Sequence, residues 1–146
     1  MKKQSGLLRR LTALALALCM LAALTAEIFA ADTVASGYCG SEGDGKNLTW
    51  TLDSEGVLTI SGLGKMKDYE NDNKNRAPWY SSRKSLKKLV LKSGITSIGD
   101  YAFFDCSNLT GDLKIPSNVH SIGENAFGYC SGFNGSLTIE NGVVEI

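Results

Sequence analysis

The stretch "ITSIGDYAFFDCSNLTGDLKIPSNVHSI", residues 95–122, is answered without a gap by "VHSIGENAFGYCSGFNGSLTIENGVVEI", residues 119–146. The offset is 24 residues, and three tripeptides keep the same beat: "LVL" at 89–91, "LKI" at 113–115 and "LTI" at 137–139. Each reads as a short strand whose two outer side chains face one way and whose middle one faces the other. A bend follows ("KSG", "PSN", "ENG"), then "ITSIG", "VHSIG" or "VVEI". "DYAFFDC" and "ENAFGYC" then read as short helical turns with an inward Ala-Phe pair and a Cys three residues on. Gly99 and Gly123 sit where strand gives way to turn. A fixed period of this length predicts a repeat solenoid, β-rich with short helical turns. One repeat cannot bury its own apolar face, but stacked repeats can, so Phe103 and Phe127 are expected in equivalent core slots.

Upstream of Leu86 the periodicity changes. "LTWTLDSEGVLTISG" alternates apolar and polar residues on both sides of "DSEG", which predicts a β-hairpin with Gly56 at the turn. Residues 48–85 thus divide into an N-terminal hairpin cap and a long surface connection, pinned at Met66 and Trp79. Residues 31–47, with four glycines among small polar residues, read as a flexible lead-in. Residues 86–146 are the repeats of period 24, the last one incomplete.

Residues 1–30 read as a secretory signal peptide. Lys2, Lys3, Arg9 and Arg10 precede an uncharged apolar run, Leu11–Leu24, and small residues suited to cleavage after Ala30 or Ala26. The run is short for a membrane span, which needs about 20 apolar residues, and Glu27 interrupts its extension. Leu18 stands before Cys19 where a lipidation signal needs a small residue.

Without the leader, eleven of the fifteen basic and fourteen of the fifteen acidic residues remain, a net charge of −3. That balance argues against nucleic acid as a partner, since neutralising phosphates needs a basic surface. Hydrophobic content of 43% and charged content of 21% are those of a globular chain, not a disordered one.

Three cysteines follow the leader: Cys39, Cys106 and Cys130. Strands lie about 4.7–4.9 Å apart and a disulfide spans Cα atoms about 4.4–6.8 Å apart, so distance alone permits a bridge between Cys106 and Cys130. Equivalent side chains in adjacent repeats run parallel, however, which favours free thiols. His120 is the one histidine and sits at a variable repeat position, so no metal ligand set forms around it. Asp68, Glu70 and Asp72 have the spacing of a calcium loop's first ligands, but Trp79 stands where a bidentate Glu is needed. Arg83, Lys84, Lys87, Lys88 and Lys92 make a basic cluster, read as a solvated face. Asn47 and Asn108 both open an "NLT" sequon. No catalytic constellation, cofactor fingerprint or phosphate loop is present in the sequence.

"SIGxxAFxxC" followed by "LxIPxxVxSIG" resembles the BspA-like leucine-rich repeats of bacterial surface and secreted proteins. "LTWTLDSEGVLTISGLGKM" followed by "APWY" looks like the module that often precedes them. There are departures: an extra residue in "TGDLKIP" and "NGSLTI", "ENG" in place of a proline, and Phe133 where a leucine is usual. The resemblance implies an exported, non-catalytic protein that binds a host or cell-surface protein or glycan. The expected binding positions are the outward ones of the sheet, Lys88, Val90, Asp112, Lys114, Ser136 and Thr138, which differ between repeats while the inward Leu/Ile rows do not. The other expectation is a structural spacer, or the N-terminal part of a larger exported protein with a separate catalytic domain. Ile146 stands where the next residue should be the repeat's glycine, which reads as a repeat protein cut mid-repeat.

Overall fold

A computed structural model describes residues 31–146. The expected signal peptide and its expected cleavage site lie outside these residues. The described chain is strand-rich with almost no helix.

Strands β1 (Thr33–Tyr38), β2 (Leu48–Asp53), β3 (Val57–Gly62) and β5 (Lys88–Leu91) form one sheet in that order. The "DSEG" hairpin is present: β2 and β3 pair antiparallel, with Leu48 opposite Gly62 and Leu52 opposite Leu58. Gly56 turns it at φ +86°, and the Asp53 carboxylate accepts the amides of Glu55 and Val57. The flexible lead-in is corrected here. Residues 33–38 are strand β1, paired antiparallel with β2 from Thr33–Asp53 to Tyr38–Thr49. Small side chains and glycines that weakened the strand signal let β1 lie against Trp50, whose indole fills the space beside Gly37.

β5 is the first strand to run parallel to its predecessor, with Leu58 beside Leu89 and Ile60 beside Leu91. The Leu and Ile rows then continue at the 24-residue spacing into β7 (Leu113–Ile115) and β9 (Leu137–Ile139), which pair parallel as a separate sheet. A third sheet runs beside them: β4 (Gly64–Lys65), β6 (Ile95–Ile98) and β8 (Ser121–Ile122), all parallel.

Between these sheets the core holds an aromatic ladder. Trp79 stacks on Phe103 at 5.5 Å and Phe103 on Phe127 at 5.2 Å, ring planes 17° and 20° apart. The three residues are 24 apart in sequence, so the repeat reaches upstream of Leu86. "APWYSS" is the counterpart of "YAFFDC", and the surface connection is corrected to the residues before it. Met66, Tyr69, Ala77 and Trp79 are all buried, while residues 70–74 are exposed.

The expected helical turns at 100–106 and 124–130 are not helices; one 3-10 turn, Tyr80–Ser82, is the only helix among the described residues. Their amides alternate in purpose. Those of Tyr101, Phe103 and Asp105 donate to the carbonyls of Glu124, Ala126 and Gly128 in the next repeat, while those of Ala102, Phe104 and Cys106 donate three residues back. Tyr101, Asp105, Asn125 and Tyr129 hold positive φ, which breaks any helical run. Half of the first turn's amides are thereby given to stacking. Gly99 and Gly123 serve the same closeness: a Cβ on Gly99 would meet the Lys67 carbonyl oxygen at 2.0 Å.

Candidate functional site

The outward face of the repeats is built by the alternation that buries their inward rows. In β7, Leu113 and Ile115 are buried and Lys114 between them is exposed. In β5, Leu89 is buried, Lys88 is exposed and Val90 is half-buried. Asp112, Ser136 and Thr138 are exposed. The register from β3 through β5, then from β7 to β9, aligns Thr59 with Val90 and Lys114 with Thr138. Five of the six expected residues are thus exposed and Val90 is half-buried.

They are not equally free. The Asp112 carboxylate accepts the Ser136 amide at 2.7 Å. Lys114 Nζ pairs with Glu140 Oε1 at 2.8 Å, and Glu140 Oε2 accepts the Ser117 amide at 2.8 Å. Lys114 and the Ser117 amide hold the Glu140 carboxyl below its usual range. Lys88 makes no salt bridge among the described residues.

The basic cluster divides as well. Lys84 Nζ and Arg83 Nε grip the two carboxylate oxygens of Asp105 at 2.7 and 2.9 Å, and together they lower its pKa. Arg83 and Arg76 also stack against Tyr80, each with its guanidinium carbon 4.0 Å from the ring centre. Lys87, Lys88 and Lys92 stay exposed. The sequence alone could not join Arg83 to Asp105, 22 residues away; only the repeat offset hinted at it.

Cys39, Cys106 and Cys130 are free thiols. Burial pushes Cys39 and Cys106 up to about 12 and Cys130 to about 11, so none is a poised nucleophile. His120 is exposed, and its carbonyl accepts the amides of Val144 and Glu145. Asp72 accepts the amides of Lys74 and Asn75 and shapes a local turn. Both sequon asparagines are engaged: Asn47 Nδ2 donates to the carbonyls of Leu63 and Lys65, and Asn108 Nδ2 to that of Lys84. No group of three or more His, Cys, Asp or Glu suited to a metal ion occurs among the described residues.

At the far end of the stack lies an apolar hollow of about 320 Å³, lined by Leu113, Ile115, Phe127, Phe133, Leu137 and Ile139 among others. It is the open continuation of the core.

Residues 77–146 match the family described as "BspA type Leucine rich repeat region (6 copies)". The fold is similar to the crystal structure of a leucine-rich repeat protein from Eubacterium ventriosum ATCC 27560, with a TM-score of 0.62 and 36% identity. That match covers 76% of this chain and 28% of that one, so the chain spans under a third of its relative. No curated protein matches the chain.

Proposed function

Residues 77–146 belong to the BspA-type leucine-rich repeat family, and from that premise we propose that the chain is a non-catalytic binding module of an exported bacterial protein. It works at the cell surface by holding a protein partner against its outward strand face. The repeats form a short solenoid, and the β1–β2–β3 sheet caps its first repeat. The observation that supports this most is the contrast between rows: Leu89, Leu113 and Ile115 are buried and alike, while Lys88, Val90, Asp112 and Lys114 beside them differ in charge and size. A solenoid lets those outward residues vary without disturbing its core. No helix among the described residues is long and apolar enough to cross a membrane.

A binding screen of the purified chain against immobilised extracellular matrix proteins tests the reading. Saturable binding is expected, weakened about tenfold by Lys88→Glu combined with Lys114→Glu. Absence of binding across the screen, or binding blind to both changes, goes against it. One observation favours a spacer instead. Asp112 and Lys114 are already spent on Ser136 and Glu140 of the chain itself, which leaves fewer side chains for a partner.

A further inference from the structure

The sheet that precedes the repeats has an outward face of different chemistry. Its register sets Ser36, Thr51, Thr59 and Val90 in one row and Tyr38, Thr49 and Ser61 in the next. The residues between them in each strand, Leu48, Trp50, Leu52, Leu58 and Ile60, are buried, which fixes these rows as the outer side. None of the seven carries a charge, and six carry a hydroxyl.

A face that only meets solvent, on a sheet ending in an edge strand, is ordinarily guarded by lysines and other charges. Here charges stand beside the rows. Lys46 lies over the Tyr38 ring at 5.9 Å and is paired with Asp44, the Asp53 carboxylate is occupied by turn amides, and Lys88 borders Val90 in β5. Neighbouring strands hold their side chains about 4.7–4.9 Å apart, so the hydroxyls of Ser36, Thr51 and Thr59 form a fixed row about 10 Å long. A hydroxyl both donates and accepts, which suits a polyol presenting both kinds of group. Thr49 Oγ1 and Ser61 Oγ lie 3.0 Å apart and hold one another in place. Tyr38 is 56% exposed at the end of its row and offers a rigid aromatic face to the C–H side of a sugar ring.

We propose that this face binds a neutral polysaccharide laid across β1, β2 and β3, with Tyr38 as stacking platform and the hydroxyl rows as hydrogen-bonding track. The proposal goes beyond the protein-binding reading and, Val90 apart, concerns other residues. An acidic polymer or a basic peptide finds no counter-charge on these rows. A protein partner needs a cluster of buried apolar anchors, and the rows supply only Tyr38 and Val90.

Native affinity electrophoresis of the full chain tests it, in gels containing xylan, mixed-linkage β-glucan, galactomannan or, as the acidic control, polygalacturonate. At least one of the three neutral polymers should retard the chain. Tyr38→Ala and Thr51→Lys should each weaken that retardation about tenfold, with melting curves showing both variants folded. Lys88→Glu combined with Lys114→Glu should leave it intact, which separates this site from the repeat face. The proposal is overturned if no neutral polymer retards the chain, if only polygalacturonate does, or if retardation survives both Tyr38→Ala and Thr51→Lys.

Discussion

"LKI" at 113–115 and "LTI" at 137–139 are almost the same strand, yet they live in different surroundings. Leu113 is 7% exposed and Ile115 1%, whereas Leu137 is 62% and Ile139 42% exposed. The backbone is shared too: β7 and β9 pair residue for residue. Burial here belongs to the place in the stack, not to the motif. A strand with a repeat on each side is core, and the same strand with a repeat on one side is surface. The aromatic ladder grades the same way, from Trp79 and Phe103, fully buried, to Phe127, half-buried over the hollow.

The sharpest way to break this comparison is at the ladder. Phe103→Ala, between two rings, should lower unfolding free energy by about 3–5 kcal/mol in denaturant titration. Phe127 holds the equivalent position one repeat on. With one side of the ring open, Phe127→Ala should cost about 1–2 kcal/mol. Equal losses would show that stack position does not govern burial.

The strands provide a smaller version of the test. Leu113→Ala should cost about 2–4 kcal/mol and Leu137→Ala under about 1 kcal/mol, measured by the same titration. Thiol chemistry reports the gradient without mutation. With thiol pKa values raised to about 12 for Cys39 and Cys106 and about 11 for Cys130, a thiol reagent at pH 8 should label the native chain slowly. Cys130, the least buried, should react first, and all three should react at once in denaturant. Rapid labelling of native Cys106 would contradict its enclosure.

The smallest effect is electrostatic. Asp105 has a folded pKa depressed by Lys84 and Arg83. A depressed carboxylate adds stability that is present above its unfolded pKa of about 3.9 and is lost as pH falls through the folded value. Asp105→Asn should therefore lower stability slightly near pH 7, and the difference from the parent chain should shrink as pH falls below about 4. Asp105 and Arg83 are only half-buried and Lys84 is exposed, so solvent screens the pairs and the change is small.

Much of this was legible in the residues. The period, the inward Leu/Ile rows, the Ala-Phe core turn and the hairpin all follow from spacing and alternation. What escaped has physical reasons. β1 is short and rich in small residues, and its pairing partner begins ten residues later, so no local pattern marks it. Trp79 was recognised as an anchor but not as a ladder member, because residues 69–76 interrupt the chain between β4 and "APWY". The turns passed for helix because Ala-Phe spacing suits one; only the amides shared with the next repeat distinguish them. The six outward positions could be named, but their internal bonds could not, since Asp112–Ser136 and Lys114–Glu140 form across repeats.

Those shared amides also decide how the molecule bears load. Tyr101, Phe103 and Asp105 bond to the next repeat along the stacking direction, as does each parallel strand pair. Repeats hold only their neighbours, so they are links in series under tension along that axis. A pull at the Ile146 end meets first the repeat with the fewest partners and should peel it away alone. The sheet of β1, β2, β3 and β5, whose Trp50 packs edge-on against Trp79, should be the last part to yield.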